Sequence, residues 1–339
     1  MTESRHLNVP SEEERKASET LISVILRRSR YVVAVLISGL LLSRLAGYTL
    51  APPAEMAGSS LLLWSGGNLG AAVLGIVVLL AVLLATTIIS MLLIHPDAPH
   101  TALFCSFLGL AYLATSAAVG GDGSDGGTIR LMLAQAQQSN HVGALYNTLA
   151  TECLVWAVFI LVAEWCCTWI HHHKFRNTHW LTRHGITLEQ IAETPALAVH
   201  LPDQAAATSS RMEFWMENLG SLALAGGIVV LILALLLRSE EKGQTLFAGF
   251  VAGLVGGMAA VMAFPRAKIV SVCLAVPLAV ALGYWWIVFN GAAVMYPGYS
   301  SLALGRAMPI DVIAMGVPGA ILGAHSFVRT RINQVLESE

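Results

Sequence analysis

The chain has 339 residues, of which 56% are hydrophobic and only 12% are charged. Soluble domains carry about 25% charged residues, so a soluble protein of this composition would expose large apolar patches to water. A chain surrounded by lipid has no such need, and the composition therefore predicts an integral membrane protein. The formal net charge of −2 gives no sign of a clustered basic surface, so we expect no nucleic-acid partner.

The segment 1–30 is polar and ends in closely spaced arginines. Ser11 and Glu14 have the spacing of a capping box at the start of a helix. That helix becomes apolar only over 21–26, which is far too short to cross about 30 Å of hydrocarbon. We therefore expect it to lie on the membrane surface.

Eight apolar runs follow, each close to the roughly 20 residues that cross a membrane as a helix. The runs are 31–50, 69–94, 101–120, 145–170, 219–237, 246–264, 269–290 and 310–328. The predicted fold class is all-α, a polytopic helical membrane protein with about eight transmembrane helices. The chain divides into an N-terminal segment 1–30, membrane helices one to four at 31–170, a loop with short amphipathic helices at 171–218, membrane helices five to eight at 219–328 and a tail at 329–339.

The basic residues predict how these helices are oriented. With the N-terminus in the cytoplasm, 14 of the 19 lysines and arginines lie on the cytoplasmic side, four lie outside and Arg44 lies within a run. Loops with an excess of Lys and Arg stay in the cytoplasm. Both termini and the loop 171–218 are therefore expected to be cytoplasmic. The expected location is a bacterial-type cytoplasmic (inner) membrane.

Aromatic residues near the ends of the runs fit the belts that membrane proteins place at the two lipid–water interfaces. Tyr284, Trp285 and Trp286 lie near the predicted outer end of the seventh run, and Trp165 and Trp169 lie near the predicted inner end of the fourth. We expect these side chains to face the interface.

Ionisable groups inside hydrocarbon are costly, so those within the runs are candidate functional residues. At 1.5 Å per residue, Arg44 and Glu152 lie about 20 Å and about 27 Å from the inner ends of their helices, a gap that an arginine stem can bridge. We therefore hypothesise a contact between them in the outer half of the membrane. Glu164 lies beside Trp165 near the inner interface and is expected to be an interfacial carboxylate. The candidate polar intramembrane site comprises Arg44, Asn147, Thr148, Thr151, Glu152 and Glu164.

Two interpretations of this site remain open. In the first, Glu152 lines a polar pathway or a substrate pocket. In the second, an Arg44–Glu152 ion pair locks the first helix to the fourth, and the threonines bond back to their own helix. A pathway normally needs polar groups from more than two helices, which favours the structural interpretation at this point.

A group of histidines follows the fourth run directly: His171, His172, His173, His179 and His184. Three consecutive residues of a regular helix cannot direct their rings at one metal, so metal binding is only a weak alternative to a membrane-surface segment. No cofactor is predicted. Later in the same loop, a short helix at 211–219 is expected to carry an apolar stripe on the membrane surface.

Glycines recur every four residues on two of the runs and predict close helix packing, in the manner of a glycine zipper. They are Gly249, Gly253 and Gly257 on the sixth run, and Gly319 and Gly323 on the eighth. Pro277 and Pro318 interrupt the seventh and eighth runs and are expected to kink these helices. The moderately apolar segment 291–309 suggests a loop that dips into the membrane from outside.

Three classes of function are compatible with these features. A transporter or channel for a small solute or ion would explain the kinked helices and the polar patch around Glu152. A non-catalytic scaffold, or a subunit of a membrane complex, would explain the scarcity of polar residues in the membrane. An intramembrane enzyme is the least favoured, because Glu152 and Glu164 lie about 18 Å apart along one helix. The expected partners are the lipid bilayer and either other membrane subunits or further copies of the chain.

Overall fold

The computed structural model describes residues 28–46, 69–94, 99–116, 129–170, 211–290, 294–296, 299–300 and 302–338. Within these ranges the chain is helical apart from one short hairpin. The helices are α1 at 28–41, which ends in the π-helical turn Leu42–Ala46, then α2 (Leu69–Ile94), α3 (Pro99–Ser116), α4 (Ile129–Gln138), α5 (Val142–Ile170), α6 (Arg211–Leu236), α7 (Lys242–Ala263), α8 (Ile269–Phe289) and α9 (Pro309–Ser338). Between α8 and α9, β1 (Val294–Tyr296) pairs antiparallel with β2 (Tyr299–Ser300), and the 3₁₀ turn Ala303–Arg306 follows.

Five of the described helices, α2, α5, α6, α7 and α8, are long and apolar enough to cross a membrane. This supports the prediction of a helical integral membrane protein. The other three predicted spans coincide with α1, α3 and α9. Of these, α3 contains a shorter apolar stretch, His100–Thr115. A helix suits this environment because all of its backbone hydrogen bonds are internal to the segment.

Successive long helices run in opposite directions, so the helix ends form two groups at the two ends of the bundle. At one end, the Asn218 side chain accepts a hydrogen bond from the backbone N–H of Lys268 at 2.9 Å, which joins the starts of α6 and α8. At the other end, Lys242 binds Asp311 and joins the starts of α7 and α9. We call the first group, where α1, α3, α6 and α8 begin, the proximal end. The second, where α2, α5, α7 and α9 begin, is the distal end.

The closest helix pair is α7 with α9. A Cβ atom on Gly249 would lie 2.8 Å from the carbonyl oxygen of Val312, and a Cβ on Gly253 would collide with the carbonyl oxygen of Gly316. Gly257 faces the α9 backbone in the same way, one turn further along. Such backbone approach is possible only where side chains are missing. These glycines therefore define the distance between the two helices.

Glycines of α9 complete the same contact from the other side. A Cβ on Gly319 would meet the carbonyl oxygen of Phe250, and one on Gly323 would meet that of Leu254. All five glycines that the sequence singled out thus lie between α7 and α9, inside the chain. The face they occupy is therefore already covered by a helix of the same molecule.

Both prolines that the sequence singled out lie inside helices and are buried, Pro277 in α8 and Pro318 in α9. Proline has no N–H, so the carbonyl groups of Cys273 and Ala314, four residues earlier, lose their usual helical donor. Each helix therefore lacks one backbone hydrogen bond near its middle.

Two features differ from the sequence-based expectations. The predicted short helix at 211–219 is the first part of the continuous helix α6, because Gly220 does not break the helix: its missing side chain makes room for the ring of Phe264. In addition, the ten-residue helix α4 was not predicted. Its buried residues are spaced for one helical face: Ile129, Met132, Leu133 and Ala136.

The aromatic side chains of the predicted belts divide into exposed and buried residues. Trp165, Trp169 and Trp286 are exposed on the surface of the bundle. Tyr284 was expected at the interface but is fully buried, because its hydroxyl group reaches a carbonyl acceptor inside the protein. The N-terminal helix predicted before residue 28 lies outside the described residues.

Candidate functional site

The predicted contact between Arg44 and Glu152 is not formed in the described part of the chain. Arg44 is exposed in the π-helical turn at the distal end of α1, whereas Glu152 is completely buried in α5. The reason lies in the packing of this turn, which rests against α2 and α3 through the buried Leu42 and leaves the side chain of Arg44 facing outwards. The hypothesis placed the two residues at similar depths but on the wrong helix faces.

The other polar residues near Glu152 do not join it. The hydroxyl group of Thr148 donates to the carbonyl oxygen of Ala144, and that of Thr151 donates to the carbonyl oxygen of Asn147, both at 2.9 Å. Asn147 and Thr151 are exposed, on the opposite face of α5. The threonines thus bond back to their own helix, as the structural interpretation predicted.

Glu152 faces the interior of the bundle. Its Oε1 lies 3.4 Å from the indole nitrogen of Trp156, one turn further along α5, and this N–H donates to it. Trp156 is itself buried and packs edge-on against Phe159. The phenol group of Tyr284 on α8 lies within electrostatic range of Glu152. A carboxyl group is thus held among aromatic side chains from two helices.

The most buried ion pair among the described residues was not predicted from the sequence. Nζ of Lys242 lies 3.0 Å from Oδ1 of Asp311, and the side chains are only 11% and 3% exposed. Lys242 also donates to the carbonyl oxygen of Ala114 at 3.1 Å, and the hydroxyl group of Thr245 is within hydrogen-bonding reach of Asp311. The pair therefore ties together α3, α7 and α9.

The local helix geometry favours both charges. Asp311 lies in the first turn of α9, where the free N–H groups of the helix favour an anion. Ala114 lies in the last turn of α3, where free carbonyl groups favour the cation of Lys242. These contacts offset part of the cost of removing two charges from water.

Two buried tyrosines hold the chain before α9 inside the bundle. The hydroxyl group of Tyr146 donates to the carbonyl oxygen of Gly305 at 3.0 Å, and that of Tyr284 donates to that of Ala307 at 2.7 Å. Their rings stack with centroids 5.8 Å apart. Tyr284 lies five residues before the end of α8, so the segment 302–308 reaches about 7 Å below the helix end.

The same segment is fixed from its other side by Arg306. Its guanidinium group donates to the carbonyl oxygens of Ser300 at 3.2 Å, Arg238 at 3.1 Å and Leu237 at 3.4 Å. The last two are at the C-terminal end of α6, where a cation is favoured by the helix dipole. The segment therefore closes the distal end over the buried residues.

We refer to Glu152, Lys242, Asp311, Tyr146 and Tyr284 as the distal polar cluster. Only Glu152 was among the predicted site residues. Lys242 lies between the predicted runs 219–237 and 246–264, and Asp311 lies within the run 310–328 but was not among the candidate site residues. An acidic residue inside an apolar run was the signal that identified Glu152, and the same signal was present at Asp311.

Glu164, which was expected to be an interfacial carboxylate, lies towards the proximal end of α5 and is largely covered by the protein. Its side chain is 13% exposed, and its Oε1 is 2.9 Å from Nδ1 of His100 on α3. The ring of His325 on α9 lies beside that of His100. We refer to His100, Glu164 and His325 as the proximal cluster.

Among the described residues, no three His, Cys, Asp or Glu side chains form a group that could hold a metal ion. The histidines that were the weak metal candidates, 171–173 together with His179 and His184, lie outside the described residues. The five cysteines are free thiols, and all except Cys166 are buried.

Comparison of the chain with protein-family models, with curated proteins and with solved structures finds no match. Function is therefore inferred from the buried polar residues themselves. The distal cluster brings ionisable and hydroxyl groups from α5, α7, α8 and α9 to one end of the bundle. Such a set can bind a charged or polar solute, whereas catalysis would need a nucleophile beside a base.

Proposed function

We propose that the chain is a multi-pass membrane transporter or channel for a small solute or ion, and that the distal polar cluster is its binding site. The observation that carries the proposal is the burial of Lys242, Asp311 and Glu152 on three different helices at the same end of the bundle. Ionisable groups cost several kcal/mol in a membrane interior, and those that persist there commonly mark a substrate or ion pathway.

The Lys242–Asp311 pair suggests how a solute is bound. The pair is neutral overall, so an incoming anion would compete with Asp311 for the ammonium group, and an incoming cation would compete with Lys242 for the carboxylate. In either case the Lys242–Asp311 ion pair between α7 and α9 is broken when the solute binds. Binding of a solute would therefore loosen one helix contact at the distal end.

We further propose that α1, α3 and α9 cross the membrane together with the five long apolar helices, which gives eight spans with both termini in the cytoplasm. The distal cluster then faces the outside of the cell, and the segment 302–308 dips into the outer half of the membrane as a re-entrant loop. The asymmetry of lysine and arginine supports this orientation. A bacterial-type cytoplasmic membrane is part of the same proposal.

A scaffold or a subunit of a membrane complex is the second candidate. The observation in its favour is that Lys242 is bonded to two other helices of the same chain, through Asp311 and Ala114. A buried pair of this kind also serves as a lock that fixes helix positions. In that case the protein has stable partner subunits, or pairs with further copies of itself.

Flux measurements on proteoliposomes test the proposal. The purified chain is reconstituted, and currents are recorded for a panel of small cations, anions and zwitterions. We expect a current with the unmodified chain, and its loss at normal protein levels in Glu152→Gln and in the double variant Lys242→Met/Asp311→Leu, which replaces the whole buried pair. The control is Glu217→Gln, because Glu217 and Arg266 form a more distant pair, 3.9 Å apart, with side chains 28% and 67% exposed.

The scaffold candidate predicts different results for the same proteins. The unmodified chain would carry no current, and a partner would copurify in fixed stoichiometry in mild detergent. Those results together would contradict the transport proposal.

A further inference from the structure

The turn between α7 and α8 lies across the first turns of α6 at the proximal end of the bundle. At its end, the backbone N–H of Lys268 donates to the side-chain oxygen of Asn218 at 2.9 Å. At its start, the ring of Phe264 occupies the space left by the missing side chain of Gly220. Both ends of the turn are therefore fixed to α6.

Two basic residues of this turn are exposed, Arg266 and Lys268, whereas Ala267 between them is buried. Residues two apart in a chain have Cα atoms at most about 7 Å from each other. The long side chains of Arg266 and Lys268 can therefore reach the same anion. A phosphate group suits them, because a guanidinium group can bind two of its oxygens at once.

The contacts of these two cations leave their N–H donors available. Nη1 of Arg266 lies 3.9 Å from Oε1 of Glu217, whereas a charge-assisted hydrogen bond is about 2.7–2.9 Å long. Nζ of Lys268 lies 5.3 Å from the ring centroid of Phe214, a cation–π contact that uses no hydrogen-bond acceptor. Within the described ranges the two side chains are thus held in place but can still donate to a ligand.

The outer face of α6 beside this turn is apolar. Its exposed side chains are three or four residues apart and so share one face of the helix. Glu217 and Asn218, which contact the turn, lie on the opposite face. We call the apolar residues the proximal apolar stripe, and each is between 57% and 73% exposed: Met212, Trp215, Met216 and Leu219. A helix that turns its polar face inwards and its apolar face outwards is suited to lipid rather than water.

The stripe and the two cations lie at the same level along the bundle. Phe214, Glu217 and Asn218, which are interleaved with the stripe on α6, are the residues that contact Arg266 and Lys268. At the edge of a membrane, apolar side chains contact acyl chains while neighbouring cations contact headgroups. A phospholipid supplies both chemistries in one molecule, whereas a soluble anion supplies only one.

We propose that Arg266, Lys268 and the proximal apolar stripe bind an anionic phospholipid, with its phosphate group on the two cations and its acyl chains along the stripe. A zwitterionic phospholipid fits less well, because its own cation offsets the charge of its phosphate. The inference does not depend on the proposed transport function. In the proposed orientation the lipid lies in the cytoplasmic leaflet, where anionic headgroups attract basic residues near the membrane surface.

Native mass spectrometry of the purified chain tests this proposal, because it resolves individual bound lipids. The chain is titrated with phosphatidylglycerol or with phosphatidylcholine of the same acyl chains, and the dissociation constant of the first bound lipid is measured. We expect phosphatidylglycerol to bind about 30-fold more tightly, the effect of two basic residues at an anionic headgroup. Equal affinities for the two lipids would overturn the proposal.

Substitutions locate the site. Arg266→Gln/Lys268→Gln should remove the preference for phosphatidylglycerol and leave the affinity for phosphatidylcholine unchanged. The matched control is Arg130→Gln/Arg238→Gln, which removes the same charge from two exposed residues at the distal end and should keep the preference. Equal losses in the two double variants would show a general attraction to charge and would contradict a site on this turn. All four residues are exposed, so normal folding is expected and is checked by thermal unfolding.

Two further measurements test the acyl-chain part of the site. Met212→Gln/Met216→Gln should weaken the binding of both lipids, since the stripe contacts acyl chains whatever the headgroup is. An unchanged affinity for both would contradict a role for the stripe. Inorganic phosphate is added as a competitor at the same concentration as phosphatidylglycerol. We expect no displacement of the lipid, whereas displacement would mean that the two cations form a site for a soluble anion, and the lipid proposal would fall.

Discussion

The close contact between α7 and α9 predicts that Gly253→Ala destabilises the folded protein. The new Cβ atom would collide with the carbonyl oxygen of Gly316 and would lie 2.8 Å from its carbonyl carbon and 2.9 Å from the backbone nitrogen of Ala320. All of these are backbone atoms, so no side chain can rotate away and the helices must separate. Overpacking of this kind costs about 1–3 kcal/mol.

A matched substitution isolates that cost. At Gly227 in α6, no atom lies within 4 Å of the position that a Cβ would occupy, so Gly227→Ala adds a methyl group without a collision. Both substitutions gain about 0.5–1 kcal/mol from the higher helix propensity of alanine. This gain cancels when the two variants are compared. The difference between their free energies of unfolding is therefore the overpacking cost alone, about 1–3 kcal/mol.

Thermal unfolding in detergent, followed with a thiol-reactive dye, measures this difference. Cys105, Cys153, Cys167 and Cys273 are buried and become reactive only when the bundle opens. At about 2–4 °C per kcal/mol, Gly253→Ala should unfold roughly 2–12 °C below Gly227→Ala. An equal or higher unfolding temperature for Gly253→Ala would refute the close approach of the two helix backbones.

Two further predictions concern the distal cluster. Lys242→Met leaves Asp311 without its partner and should cost about 3–5 kcal/mol, whereas adding Asp311→Leu should restore most of the stability, since replacing a whole buried pair by apolar residues is often neutral. Additive losses in the double variant would contradict a direct pair. Tyr284→Phe leaves the Ala307 carbonyl without its donor and should cost about 1–3 kcal/mol. The control Tyr112→Phe, on an exposed tyrosine, should change stability by less than about 0.5 kcal/mol, and equal effects would argue against the hydrogen bond.

The helices could largely be predicted from the sequence because lipid demands long apolar segments, and such segments are visible without knowledge of packing. The run 69–94 coincides with α2, and 269–290 ends one residue beyond α8. The amphipathic helix α4 was missed because ten residues with a mixed composition resemble a loop. Its burial depends on contacts with α5 and β2, which a single segment does not reveal.

The site was harder to predict because the position of a residue along its helix does not show in which direction its side chain points. The distance along a helix follows from the rise of 1.5 Å per residue, so the sequence shows how far Arg44 and Glu152 lie from the ends of their helices. The direction in which a side chain points depends on which helices pack together. Lys242 and Asp311 lie at helix ends, where a sequence cannot show whether the next segment covers them.

The proximal cluster was also hard to predict, because it depends on which helices pack together. Glu164 was singled out from its position in a run, but His100 comes just before a run, and His325 is a single histidine within the run 310–328. These residues lie on α3, α5 and α9, and only the packing of the three helices brings them together.

The central claim is that lipid, rather than water, surrounds the exposed apolar faces of these helices. Washing membranes that contain the full chain with alkaline carbonate, and then attempting purification without any detergent, tests it most directly. The chain should remain in the membrane pellet and should require an amphiphile to stay dispersed. Release into the wash as a monodisperse protein in plain buffer would contradict the membrane architecture and, with it, the transport proposal.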